Sequence, residues 1–419
     1  MAFTDLLLDT FRTLWSHKLR TFLSMFGIAW GMVSIILMVA AGEGLRVGQQ
    51  KQMRNFGKDI MIIFSGRTSM QAGGMRAGRA ISWWDSDASI AAQEAPACEY
   101  VLPELESANT PIRSRYNNAS LLVVGSLPPF AEIRSVDVEK GRFYGWGDQH
   151  HARRVAFLGS EAKKQLFATR PALHETVWIQ NLPYTVVGIM RGKDQNNSYD
   201  GFDVNKVYIP FAAMRRDFPP KPPALPNTVG HLLATPRSVK EDDACKWQLR
   251  RALGSIHRFD PRDREAAHIW DTVEEARNFQ AVVEGMKYFL GAVGLATLLL
   301  GGLGVMNVML VAVRERTREI GVRKAVGATS RGILSQFFVE SMIVVFLSGG
   351  IGMGVAYGLC ALVDRIPMPT FFAGLLPSWQ ASLLAFGLLG AIAVASALYP
   401  ARRAASIDPI EALRYEAGG

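Results

Sequence analysis

Four long stretches of this 419-residue chain are almost free of charge, and they limit its fold more than any other feature. Thr21–Ala41, Tyr288–Val313, Ile333–Val363 and Trp379–Tyr399 are each long enough to cross a hydrocarbon core of about 30 Å as a helix. Lipid offers no partner to a backbone N–H or C=O, so such stretches must satisfy their own backbone as helices. Residues 42–287 are soluble in character. The composition fits this division, with 49% hydrophobic residues beside 20% charged ones. The expected architecture is membrane α-helical, with four transmembrane helices and a large extracytoplasmic α+β domain containing a β-rich insertion.

Charge sets the orientation. Arg12, Lys18 and Arg20 precede the first span. Arg314, Arg316, Arg318, Arg323, Lys324 and Arg331 lie between the second and third, and Arg402, Arg403 and Arg414 follow the fourth. The loop 364–378 carries a single basic residue, Arg365. Lysine and arginine in short loops resist translocation, so both termini are expected in the cytoplasm and the large domain outside. The net charge of +9 follows from this rule. It does not require nucleic acid as a partner, since no aromatic-interleaved basic cluster accompanies it. The first span follows a long polar lead and reads as an uncleaved anchor. Met1–Arg20 has Phe3, Leu7, Phe11 and Leu14 at helical spacing. It reads as an amphipathic helix on membrane lipid or as a simple leader into the span.

Within 42–287, Ile60–Phe64 is a strand candidate, Ser65–Arg79 a Gly- and Arg-rich loop, and a helix starts near Ser86. Leu121–Val124 reads as the next strand. A similar pattern returns later: His231–Ala234 is extended, Ser238 with Glu241 forms a capping box, and Cys245, Leu249, Leu253 and Ile256 share a helical face. Ala267–Trp270 would be the partner strand. These define an α/β part at about 57–125 and 227–273. Val155–Leu158, Thr176–Ile179, Thr185–Ile189 and Lys206–Ile209 are short β-rich runs, read as a separate insertion at about 126–217. The proline-dense stretch Phe218–Pro226 closes it. From about Glu274 a helical pattern runs unbroken into the second span.

The connector 314–332 is the most sharply punctuated stretch. Glu319 and Arg323 form an i,i+4 pair, Gly327 sits at a helix stop, and Thr329 or Ser330 caps the next helix. It is either a solvated positive-inside loop or a short stiff helix that passes force between a cytoplasmic partner and the membrane. Glu340 is a lone carboxylate inside the third span, either functional or paired with Arg331 or a helix terminus. Gly27 with Gly31, and Gly350, Gly354 and Gly358, are spaced for close helix packing.

Catalytic and metal motifs are missing. Gly57–Lys58 and Gly192–Lys193 are each followed by aspartate, so neither forms a phosphate-cradling loop. HExxH, GxSxG and CxxC do not occur. His150 and His151 are adjacent, which on a strand points them to opposite faces. Of three cysteines, Cys98 and Cys245 are candidates for one disulfide in an oxidising compartment, Cys245 alternatively being core. Cys360 reads as span packing.

The connector RERTREIGVRKAVGATSRGILSQFFVE (Arg314–Glu340) closely resembles the signature of the MacB/FtsX-like permease family of ABC transporters. Tyr399–Glu416 resembles its C-terminal signature and Ser16–Gly44 its first span. Agreement across 42–287 is in pattern, apart from Gly141–Phe143 and the strand at Val186. The resemblance implies a bacterial inner-membrane permease subunit and a homodimer, with the first two spans as its interface. It implies a separate cytoplasmic ATPase, holding ATP and Mg, docked around Arg314, Glu315, Arg316, Arg318, Glu319, Arg323, Lys324, Gly327 and Arg331. It implies export or efflux with a periplasmic adaptor and an outer-membrane duct. The alternative, after other relatives, is an FtsX-like scaffold or sensor that regulates a periplasmic partner. Glu340 matches a signature glutamate that is not a proton-relay residue.

Overall fold

The computed structural model describes residues 18–57, 59–195, 198–222, 224–369, 371–408 and 412. The expected amphipathic helix falls almost wholly outside these residues, as does Arg414. The chain divides into two compact units, Met1–Gly48 with Gln280–Gly419, and Gln49–Phe279.

In the first unit the apolar runs are helical and longer than the runs themselves. The first helix, α1, spans Lys18–Phe56. The second unit begins as α1 ends. Its strand β1 (Met61–Ser65) is followed by β2 (Trp83–Trp84), helix α2 (Asp85–Glu94), β3 (Cys98–Arg113) and β4 (Asn118–Ser126). Then come β5 (Val138–Gly141), β6 (Val155–Leu158), helix α3 (Ser160–Phe167), β7 (Thr176–Ile179), β8 (Leu182–Met190) and β9 (Lys206–Pro210). Helix α4 (Phe211–Asp217), β10 (Thr228–Val229), β11 (His231–Pro236), α5 (Asp242–His257) and β12 (Ala267–Asp271) complete it.

Among the described residues one ten-stranded sheet runs in the order β12-β1-β11-β3-β4-β9-β6-β8-β5, with β7 pairing β3 and β8. The residues 126–217 therefore do not form a sheet of their own. The sixteen-residue β3 joins both parts: Cys98–Glu104 pairs with β11, and Leu105–Arg113 with β4. Leu121–Val124 lies in β4, which pairs with β9 of the insertion, so β3 is the strand that follows α2. Its long register carries Pro103 and several charges, which hide it from an alternation test. The sheet is buried on both faces, and the period of two sends neighbouring residues to different cores. Met61 and Ile63 join Ala88, Cys245 and Leu249 on one face. Ile60 and Ile62 join Leu102, Phe130, Tyr208 and Leu233 on the other. Cys98 and Cys245 are bonded, tying β3 to α5 within the first of these cores.

The capping box is not formed. Glu241 is itself the N-cap residue of α5, and the Ser238 hydroxyl reaches its carboxylate at 3.3 Å, because a turn (Glu241 N–H to Ser238 O, 2.9 Å) precedes the helix.

Helix α6 (Thr272–Glu315) is continuous over 44 residues, about 66 Å at 1.5 Å per residue. After α7 (Thr317–Ala325) come α8 (Ser330–Val363) and α9 (Trp379–Ala405). Four of these helices, within α1, α6, α8 and α9, are long and apolar enough to cross a membrane. The last one runs past the expected end at Tyr399, with Pro400 inside it. The helix continues to Ala405, since Ala401 and Ala404 are fully buried and the Lys324 Nζ donates to the Ala405 and Ile407 carbonyls at 2.6 and 2.7 Å.

Small residues set the helix crossings. Gly27 lies against Gly301, and Gly31 against Leu298. A Cβ on Gly352 would stand 2.5 Å from the Ala29 carbonyl oxygen. Gly350, Gly354 and Gly358 have no other part of the described residues within 4 Å of such a Cβ, so the helix face they share is not the one packed here. Gly352→Ala is therefore expected to cost about 1–3 kcal/mol by forcing α1 from α8. Gly350→Ala should leave the melting temperature in detergent unchanged, and the pair measured together checks the crossing.

Candidate coupling site

Helix α7 is cut out of the chain by local chemistry. Thr317 Oγ1 turns back to the Val313 and Arg314 carbonyls at 3.0 and 2.8 Å, where α6 stops. Glu319 occupies the first turn, and Arg323 and Lys324 the last, each matching the helix dipole. Glu319 and Arg323 pair at 2.5 Å. At the far end Gly327 adopts φ +103°, Ala328 N–H donates to Arg323 O at 2.9 Å and Gly327 N–H to Lys324 O at 3.0 Å, a Schellman termination. Thr329 then caps α8, accepting from Gly332 N–H at 3.2 Å.

The nine residues expected to contact an ATPase divide between two faces. Arg323 reaches Gln336 at 3.1 Å, and Lys324 is committed to the end of α9. Arg316 stands 3.5 Å from Glu340, which is buried. The partner of Glu340 is thus Arg316, not Arg331, because the turn after α6 brings residue 316 back over α8. Ile320 and Gly321 are buried, Gly321 against Ala412. Arg314, Glu315, Arg318, Glu319, Gly327 and Arg331 remain exposed. Between them the structure adds two residues that sequence reasoning passed over. Val322 is 46% and Val326 84% exposed, and with Arg318 they form an i, i+4, i+8 stripe. The spacing was readable; which face it occupied was not.

A second constellation lies in the β-rich unit. Asp203 is buried and receives Arg134 at 2.6 Å, Lys193 at 3.0 Å and Lys206 at 3.3 Å. Burial alone would raise its carboxyl, but these three cations hold it far below the usual carboxylate range. Alongside, Glu104 accepts from Tyr199 Oη at 2.7 Å and meets His231 Nε2 at 2.7 Å. Burial works against both charges of that pair, yet each stabilises the other: the Glu104 carboxyl is lowered and the His231 imidazole raised. Glu106 is pushed up to about 8 by burial and by the charges of Glu104 and Asp200. None of this was legible while β3 itself went unread. His150 closes a short helix, Trp146–His150, with His151 as its C-cap, so the pair is not on a strand as its sequence reading assumed.

The fold and this connector together define a four-span membrane protein with a large extramembrane α/β domain. Residues 21–251 match the MacB-like periplasmic core domain and residues 291–409 the FtsX-like permease C-terminal domain. The chain belongs to the MacB/FtsX-like family of ABC transporter permeases, multi-pass proteins of the inner membrane, and membership implies a cytoplasmic ATPase partner.

Among its relatives is the uncharacterized ABC transporter permease YknZ of Bacillus subtilis, 30% identical over 96% of both chains. The macrolide export ATP-binding/permease protein MacB of Bdellovibrio bacteriovorus is 27% identical over 97% of this chain and 61% of its own length. The pyoverdine export ATP-binding/permease protein PvdT of Pseudomonas putida is 30% identical over 97% of this chain and 59% of its own. The chain thus spans about 60% of the length of the two export proteins.

Proposed function

We propose that this chain is the transmembrane subunit of a MacB-like ABC exporter, driven by a separate cytoplasmic ATPase that binds ATP and Mg. The observation that carries the reading is the outward stripe of α7. Val322 and Val326 are exposed apolar residues in helical register with Arg318, on a connector that also carries exposed Arg314 and Arg331 and whose charge suits cytoplasm rather than lipid. Exposed apolar residues on a charged connector suit a protein partner. The inward face of α7, through Arg316, Arg323 and Lys324, is fastened to α8 and α9, so a push on the stripe reaches two spans. Both termini lie in the cytoplasm. A homodimer joined through the first two spans works with a periplasmic adaptor and an outer-membrane duct, and motion of the periplasmic domain is the output.

Val326→Asp tests it. The side chain is almost free, so the variant should insert and melt as the parent does. Co-purification of an ATP-hydrolysing subunit from native membranes should fall at least tenfold, about 1.4 kcal/mol at the docking face. Undiminished recruitment would overturn the docking assignment. ATP turnover that responds to a periplasmic protein and to no small compound would favour a regulatory scaffold over an exporter.

A further inference from the structure

Three residues on one sheet face form a set of ligands that the transport reading does not use. Glu104 and Glu106 are two apart on β3, so both side chains project from the same face. His231 is the cross-strand partner of Glu104 on β11. One ligand atom from each lies within 4.8 Å of the others. His231 Nε2 is 2.7 Å from Glu104 Oε2 and 3.5 Å from Glu106 Oε1. We propose that Glu104, Glu106 and His231 bind a borderline divalent cation of the Zn²⁺ class.

The geometry is close to what such an ion needs. Zinc holds imidazole nitrogen and carboxylate oxygen at about 2.0–2.2 Å, which places its ligand atoms roughly 3–3.5 Å apart. The His231–Glu104 contact must open slightly, and the three ligand atoms, which lie within 4.8 Å of one another, must draw in around the ion.

A plain ion pair leaves part of the cluster unaccounted for. Glu104 is fully buried, and its second oxygen, Oε1, has no hydrogen-bond partner among the described residues. A buried carboxylate oxygen without a donor is costly, and a metal ion held by both oxygens of Glu104 would satisfy it. Nearby positive charge is already engaged: Lys206 is held by Asp200 at 2.5 Å and Asp203 at 3.3 Å, and Arg134 by Asp203.

The donor set points to the class of ion. An imidazole among carboxylates suits Zn²⁺ better than Ca²⁺ or Mg²⁺, which prefer oxygen throughout. Tyr199 Oη, donating to Glu104 Oε2, orients that ligand as an outer partner. Glu106 is 27% exposed and gives the ion an entry from solvent.

The experiment uses the full chain in detergent, its tag removed and its metals stripped by chelator. Zn²⁺ alone is titrated against a chromophoric competitor, and retained metal is counted by mass spectrometry. The expected result is one tight equivalent per chain, weakened at least tenfold in Glu106→Gln and restored in Glu106→His. Glu106 is the exposed member, so its substitution should spare the fold, and an unchanged melting curve for metal-free Glu106→Gln checks this. His231→Gln should abolish binding if that variant folds. A parent that retains no zinc overturns the proposal. So does zinc held equally by Glu106→Gln, or Ca²⁺ or Mg²⁺ competing on equal terms. The site stands independently of the export reading.

Discussion

Asp203→Ala lowers the stability of the extramembrane unit by about 3–5 kcal/mol, the cost of removing one partner from a buried charge network. The carboxylate is the shared acceptor of Arg134, Lys193 and Lys206, whose side chains are 0%, 8% and 1% exposed. Truncation removes the carboxylate shared by three buried cations, of which Lys206 keeps Asp200 as its partner. Arg134 cannot shed its charge, and Lys193, already driven down by burial, is the one that can give up its proton. In a domain of this size each kcal/mol moves the melting temperature by about 2–4 °C, so the fall should be roughly 6–20 °C. A fall under about 2 °C would mean that the network contributes little.

The same residue sets an acid response. Its carboxyl is held below its unfolded value, so its contribution is present in full above the ordinary aspartate pKa of about 3.9. That contribution is lost as pH drops from there toward the much lower folded value. Parent stability should fall steeply below about pH 4. Asp203→Asn, less stable at neutral pH, should show a flatter decline across the same window, as read by thermal melts.

Replacing both Cys98 and Cys245 with alanine should cost about 2–5 kcal/mol. The bond closes a loop of sequence separation 147, so it constrains the unfolded chain strongly. It also joins the start of β3, the strand shared by both parts of the sheet, to the helix that covers it. Reductant should lower the melting temperature of the parent to near that of the double variant and leave the variant unmoved. Cys360, buried in the membrane unit, remains a thiol in both. A parent indifferent to reductant would show that the bond adds little to stability.

Much of the membrane part could be read before any coordinates, because the relevant physics is local. Long uncharged runs must be helices in lipid. Gly327 and Thr329 punctuate the connector whatever surrounds them, and the stop and cap lie where their chemistry puts them. The strands at Ile60, Val155, Thr176, Thr185, Lys206, His231 and Ala267 were legible for a similar reason, each being a short apolar run between turn residues. Strand β3 was not. Its sequence CEYVLPELESANTPIR mixes proline and charge into a register that only its partners β11 and β4 justify.

The glycines teach the same lesson from the other side. Gly350, Gly354 and Gly358 have ideal spacing and meet no other helix among the described residues, while Gly352 lies on the Ala29 backbone. Spacing identifies a face, but the neighbour that meets the face belongs to another part of the chain.

By itself, then, the sequence determined the number of spans, the position of the large domain, the limits of the connector and the family, all carried by hydropathy, charge and local capping. Tertiary structure alone decided which side of α7 faces outward, that Arg316 and not Arg331 meets Glu340, and that the two parts of the domain share one sheet. It alone brought Glu104 and His231 together across 127 residues. Those outcomes depend on pairings between distant strands and helices, where a side chain's role is set by what arrives opposite it, and no local pattern encodes the arrival.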